Sequence, residues 1–600
     1  MPYQPLAQRL ATLPLVVCGP VLRRVTPSSV TVFVALREQR DVSLTVHDVA
    51  ANGGAGAQRC TATATTVAIG DNLHVLTITA NGALQAGSTY VYTLRFASGG
   101  ATQGLMDANV VRPNPADAQR ALTYRASVAA APTLPSFVAM PAEPGQVRIA
   151  HVSCRKPHGN GNDALPTVDL MIARALEATS SEPRPHLLIH TGDQIYADDV
   201  SDALLQVLID ASEALLGWDP GEELPIPSGA KGPGEVAPGT RLTVLEEGNL
   251  TSGHGRSHLF GFGEFCAMYC HAWSPTLWPA EMPGEAELYP GADDDALKDH
   301  RKHTKGQVEA IDRFRSMLGN VQRLLANVPS LMQFDDHEIT DDWYRNLNWL
   351  MRSQDKATAA GRWGRTVVRN GMAAYAVFQH WGNVPDRFQA APGPAPVAGD
   401  AILRLLNDWH AAGGMDDATS GDPTLEQLEK FLGLPEGFQP DRALRDANCM
   451  AWHFFVQWPK VQLVVLDTRT MRQTLENAKE PPALMFSDST YAAQLDSVPR
   501  PGRDDLVIVL SPAPVFGVLA HEWISDANAA TNLANAATNA VNLATNTANA
   551  ATNAVRASIP DSVGVDGSAG LDALLAALLP DPELPTTTLL EAQSLIAYAT

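Results

Sequence analysis

Several short apolar runs in this chain stop abruptly at acidic or reactive side chains. HLLI leads into HTGDQIYADD (190–199), SLM into QFDDHEITDDW (333–343), and VQL into VVLDTRT (464–470). Runs of this length are too short for independent helices and read as buried strands. VRIAHVSC (147–154) and DLVIVLSPAP (505–514) share the pattern. Helical patterns at 163–178 and 201–217 fall between them, giving the βαβα alternation of an α/β layer fold with a mostly parallel sheet. In such sheets the carboxyl ends of the strands line the binding crevice, so the position of these acids is informative.

The front of the chain follows a different pattern. SSVTVFVAL (28–36), VSLTVHDV (42–49), HVLTITA (74–80) and TYVYTLRFA (89–97) alternate with period two between polar turns. We expect an N-terminal β-sandwich domain over 1–125, an Ala/Pro-rich linker over 126–146, and a catalytic-type layer from 147 to 600. Within that layer, 200–330 reads as an insertion able to cover a site, 353–445 as helices and loops, and 528–555 as a seven-residue repeat inside an insertion at 526–557. The repeat suits a surface helix grown by duplication or a weak coiled-coil seam. Residues 570–579 and 588–599 read as helices.

Composition narrows the partners. With 43 Lys+Arg against 65 Asp+Glu the net charge is −22, which disfavours nucleic acid and anionic membranes by bulk charge. No apolar run approaches the roughly 20 residues of a transmembrane helix. The first residues lack a basic segment followed by a long apolar one, so a cytoplasmic location is the expectation. Six cysteines in 600 residues do not make a disulfide framework.

Each acidic string admits two readings. Asp193 sits where its carboxylate can bridge two cations, with Tyr196 in reach, or it caps the following helix. Asp335, Asp336, His337 and Glu338 are four ionisable residues in a row, costly to bury without a compensating cation, or else a solvated loop. Cys154 is a metal-ligand type or a small buried hydrophobe. Asp467 and Arg469 face the same way in an extended chain, so Arg469 either offers its planar fork to a phosphoryl oxygen or pairs with Asp467. Ser511 lies at another strand end.

The order SC, GDQIYADD, DDHE, LDTR, SPAP resembles the alkaline phosphatase D (PhoD-like) metallophosphatases, which are related to purple acid phosphatases. The resemblance covers about 15 to 525, and GDQIYADD with DDHE carries most of its specificity. It implies a metallophosphatase sandwich behind an N-terminal β-sandwich, and hydrolysis of a phosphate ester by a metal-activated hydroxide at a centre of one ferric ion and one divalent ion such as calcium. Cys154, Asp193 and Tyr196 would hold the ferric ion, with Asp193 bridging. Asp336 would bind the second metal, with Asp335 supporting. His337 would contact the phosphate or protonate the leaving oxygen, and Arg469 would contact phosphate. The family pattern continues with an acidic-Trp segment and a strand ending in a Gly-Asp-Val-His type motif, and this sequence has neither. HEWISD (521–526) is at the wrong distance to replace them. The expectation is a chain cut short before its last ligands, with an incomplete second-metal shell. The alternative is a non-catalytic scaffold on a degenerate phosphatase fold.

Overall fold

A computed structural model describes residues 2–114, 121–124, 131–177, 183–341, 343, 346–390, 396–415, 424–439, 442–474, 483–484 and 488–512. The seven-residue repeat, HEWISD and the helices expected at 570–579 and 588–599 lie outside the described residues. The fold is a mix of sheets and helices with a β-rich N-terminal region.

That region holds two antiparallel sheets. Strands β1 (Val16–Thr26), β2 (Ser29–Leu36), β5 (Val67–Gly70) and β6 (Leu73–Asn81) form one, in the order β1-β2-β6-β5. The other contains β3 (Asp41–Val49), β4 (Ala55–Thr65), β7 (Thr89–Ser98) and β8 (Ala101–Gly104), in the order β4-β3-β7-β8, with β9 (Ser136–Val138) also on β7. All four runs marked by period-two alternation are strands. The longest additions are β1 and β4. In β1, Gly19-Pro20 and Arg23-Arg24 break the apolar pattern, yet Arg23 is fully buried. Its guanidinium donates to Gln379 O at 2.6 Å and Asn383 Oδ1 at 2.9 Å, which is what allows a charge inside a strand. In β4 most residues are small and most are exposed, as an edge strand permits.

Behind these sheets lie two three-stranded ones. β10 (Ile149–Val152), β11 (Leu187–His190) and β12 (Ser330–Met332) run parallel in that order. β13 (Phe454–Trp458) pairs antiparallel with β14 (Val461–Val465), which pairs parallel with β15 (Leu506–Leu510). Gln333, just past β12, joins the two sheets: its Nε2 donates to Leu466 O at 2.9 Å and Leu510 O at 3.1 Å. The carboxyl ends of β12, β14 and β15 are therefore held together at one rim.

Between β11 and β12 the chain is largely helical. The aromatic, cysteine-bearing stretch forms a helix, Phe262–Trp273, with every residue buried. Its N-terminus is capped by Glu264, which accepts from Phe260 N at 2.7 Å, and Arg241 forks onto the same carboxylate. Among the described residues no helix is long and apolar enough to cross a membrane.

One apolar cluster runs from Leu6 to Val465. Strand β2 is buried on both faces, because Phe33 packs on Phe378 and Trp273, with ring centroids 5.4 and 6.2 Å away. Polar pairs cross the same seam. Tyr92 OH donates to Ala326 O at 2.8 Å and Trp458 Nε1 to Val25 O at 2.9 Å. Asn327 accepts from Ser136 N and donates to Leu122 O, both at 2.8 Å.

Replacing Asn327 by Ala strands a buried amide and a buried carbonyl. The expected loss is about 2–3 kcal/mol of unfolding free energy, read by urea titration. An unchanged midpoint would show that the seam does not depend on this side chain.

Candidate metal centre

Three strand ends build the site. After β10 the chain reaches Cys154, after β11 Gly192 and Asp193, and after β12 Asp335 and Asp336. Arg155 N donates to Asp193 O at 2.8 Å, and Thr191 N to Val152 O at 3.1 Å, which ties the first two loops together. Gly192 has φ +102°, and a Cβ there would sit 2.4 Å from the Asp335 Cβ. Glycine is thus required for the second and third loops to touch. Cys154 and Asp193 adopt φ +58° and +55°. Left-handed backbone costs a non-glycine residue about 1–2 kcal/mol, and here that strain aims both side chains at one point.

At that point Asp193 Oδ2 accepts from Cys154 Sγ at 3.2 Å and from Tyr196 OH at 3.4 Å. Its other oxygen, Oδ1, is buried without a hydrogen-bond partner. Asp193, Asp335 and Asp336 are all buried, and each offers an oxygen within 4.8 Å of the others. Ser201, not Asp193, caps the next helix, Asp202–Leu216, by accepting from Leu204 N at 3.3 Å. Cys154 is exposed, whereas Cys18, Cys60, Cys266 and Cys270 are core thiols. The acids at 335 and 336 are 8% exposed, so they are not a solvated loop.

His337 stacks on Tyr196 with centroids 4.3 Å apart, and its Nδ1 donates to Asp198 Oδ1 at 2.8 Å. The guanidinium of Arg469 spans Asp335 and Asp336, at 2.5 and 2.8 Å. Asp467 does not pair with that guanidinium. It accepts from the backbone of Arg469 at 3.0 Å and of Thr470 at 2.8 Å and so shapes the loop. Ser511 follows β15. The seven residues given site roles by the resemblance — Cys154, Asp193, Tyr196, Asp335, Asp336, His337 and Arg469 — fall in this one contact network.

Two participants carried no assigned role in the sequence. Glu338 is fully buried. Its Oε1 accepts from Gln194 N at 2.8 Å and Gln379 Nε2 at 3.1 Å, and its Oε2 accepts from Asp335 N at 3.1 Å. One carboxylate therefore fixes two of the three loops. Gln379 reaches it from a π-helical turn, Ala376–His380, that extends the helix Ala359–Tyr375. Asp198 is the second, as the partner of His337. Both stand inside the acidic strings, but spacing alone does not distinguish a ligand from a brace. Beside them Asp199 pairs with Lys156 and, at 3.2 Å, with His158.

The charges are not balanced by side chains. Burial pushes Asp193 up to about 6 against the pull of His337, with Asp336 adding to the rise. Burial pushes Asp335 up to about 7 although Arg469 opposes it, with Asp336 and Asp193 reinforcing the shift. Burial also raises Glu338 well above the carboxylate range. Burial disfavours the charge on His337, but the Asp198 hydrogen bond and the surrounding acids hold it up to about 10, so it is a cation at neutral pH. Desolvation and then Asp193 raise the Cys154 thiol to about 11, and burial likewise raises Tyr196. Clustered carboxylates, an unpartnered buried oxygen, and a thiol and phenol aimed at the same carboxylate form a donor set that fits a cation. Binding one would deprotonate the neutral donors.

No family model matches the chain, and no curated protein matches it. Ten solved chains match. One, titled "Structure of PhoD", is 11% identical with a TM-score of 0.32, and the match covers 77% of this chain and 54% of that one. The chain thus spans about half the length of that structure.

Two outcomes are expected. The folded chain binds more protons than the unfolded one between about pH 4 and pH 7 through Asp193 and Asp335, so these groups subtract stability as pH rises through that window until a cation replaces the protons. Apparent affinity for a divalent cation should fall about tenfold or more from about pH 7.5 to about pH 5.5, read by calorimetry. PH-independent affinity would place the cation elsewhere. Gly192→Ala should weaken cation binding at least about tenfold through the Asp335 clash, with circular dichroism unchanged.

Proposed function

We propose that the chain is a metal-dependent phosphoric ester hydrolase of the phosphomonoesterase or phosphodiesterase type. The observation that carries this reading is the convergence of Cys154, Tyr196, Asp335 and Asp336 around the carboxylate of Asp193.

Cys154, Asp193 and Tyr196 would hold a ferric ion, since thiolate and phenolate donors suit a strong Lewis acid. Asp336 and Asp335, with Asp193 shared, would hold a hard divalent ion such as calcium. Bound cations would supply Lewis acidity and neutralise phosphate charge, which reconciles a chain of net charge −22 with an anionic substrate. The rest of the work belongs to side chains. His337, kept protonated and oriented by Asp198, holds a proton for the leaving oxygen. Its stack on Tyr196 fixes the ring plane. Arg469 pairs with Asp335 and Asp336, and would turn its guanidinium to a phosphoryl oxygen once cations take over those carboxylates. In this reading residues 1–125 brace the catalytic layer at 147–600.

One observation favours a second reading, a binding protein on a phosphatase layout. Arg469 already bridges both carboxylates assigned to the divalent ion. Metal analysis with turnover of p-nitrophenyl phosphate and bis-p-nitrophenyl phosphate separates the two. The hydrolase reading expects bound iron, loss of both metals in Asp193→Asn, and a roughly 10²–10⁴-fold loss of turnover with metals retained in His337→Ala. Metal-loaded chain without turnover of either ester would leave only the binding reading. Unchanged metal content in Asp193→Asn would remove its bridging role.

A further inference from the structure

A concave surface elsewhere in the molecule shares no lining residue with the carboxylate centre. It is a cleft of about 780 Å³ with one wall formed by the helix Ala359–Tyr375. Arg362, Arg365 and Arg369 recur on that helix at spacings of three and four, which places them on one face, and all three line the cleft. Arg362 is exposed, and its Nη1 donates to the backbone oxygens of Lys356 and Ala357 at 3.2 and 3.5 Å. Arg365 and Arg369 are only 2% and 5% exposed.

Two buried guanidiniums need compensation. Glu429 supplies one carboxylate to both, 2.7 Å from Arg365 Nε and 3.6 Å from Arg369 Nη1. Arg365 Nη2 is buried without a hydrogen-bond partner, and the Glu436 oxygen 3.9 Å away is beyond bonding distance. Arg369 also lies over the Trp409 ring, 5.5 Å from its centroid. The other buried acid of the cleft, Glu222, accepts from Phe262 N at 2.8 Å and Asn370 Nδ2 at 2.5 Å. Burial pushes it up to about 8, so it offers no full charge at neutral pH. The wall therefore holds one cation more than its buried acids offset, in a chain whose net charge is −22. At the mouth, Met415 is 53% exposed and Leu425 lines the wall, which gives apolar surface next to the cations.

We propose that this cleft binds a small organic oxyanion, its head group on Arg365, Arg369 and Arg362 and its organic part against Met415 and Leu425. Two oxygens of a carboxylate or phosphonate head group match the paired donors of a guanidinium and would give Arg365 Nη2 the acceptor it lacks. The volume exceeds what an inorganic ion needs and falls within the range of small-molecule sites.

The test is calorimetric titration of phenylphosphonate, with benzoate in parallel, into the full chain after chelator treatment. Binding is expected to weaken at least about tenfold in Arg369→Gln and severalfold in Arg362→Ala, and to be unchanged in Asp193→Asn. The stronger probe tells whether the head group is of the phosphate or the carboxylate kind. Arg362 is exposed, so its variant remains informative if Arg369→Gln fails to fold. No heat with either probe up to about 10 mM, binding indifferent to both arginine variants, or binding lost in Asp193→Asn would each overturn the proposal.

Discussion

A carboxylate removed from water beside two others is stable only if something positive, or a proton, comes with it. Asp193 is in that position. Its surroundings can be understood as answers to that one constraint. Arg469 reaches across from a different sheet, His337 is held as a cation by Asp198, and a thiol and a phenol donate to the oxygen that faces them. These answers are incomplete, since Asp193 Oδ1 remains without a donor and both Asp193 and Asp335 keep protons well above the ordinary carboxylate range. A site that holds protons it would readily exchange is a site prepared for a cation.

Holding such charge in place requires a rigid frame. Glu338 bonds to two loops at once, and Gln333 binds the rim of one sheet to the rim of the other. The backbone strain at Cys154 and Asp193 persists because these contacts and the close approach at Gly192 over-determine it. The β-rich region contributes from behind through Phe33, Tyr92 and the buried Arg23.

The sequence made the site easier to find than its supports. Short apolar runs that stop at acids mark strand ends, and strand ends are where a parallel layer gathers its chemistry, so Cys154, Asp193 and Asp335 could be located without coordinates. Strand β1 was hidden because Arg23-Arg24 and Pro20 mimic a break, and the compensating acceptors on Gln379 and Asn383 lie more than 350 positions away. Glu338 and Asp198 were visible as residues but not as braces, because a brace is defined by its partners. By sequence Arg469 faces phosphate or Asp467, whereas the acids it grips belong to another loop entirely. Long-range pairing of this kind leaves no periodic trace.

The π-helical turn at Ala376–His380 has a consequence of its own. Such a turn holds about one residue more than an α-helical turn. Losing one residue there would swing the side chains that follow on the same helix by roughly 100° about its axis. The amide of Gln379 would then leave Glu338, although no residue of the carboxylate cluster had changed. A single-codon deletion far along the chain would thus unbrace the carboxylate cluster while every recognisable motif survived.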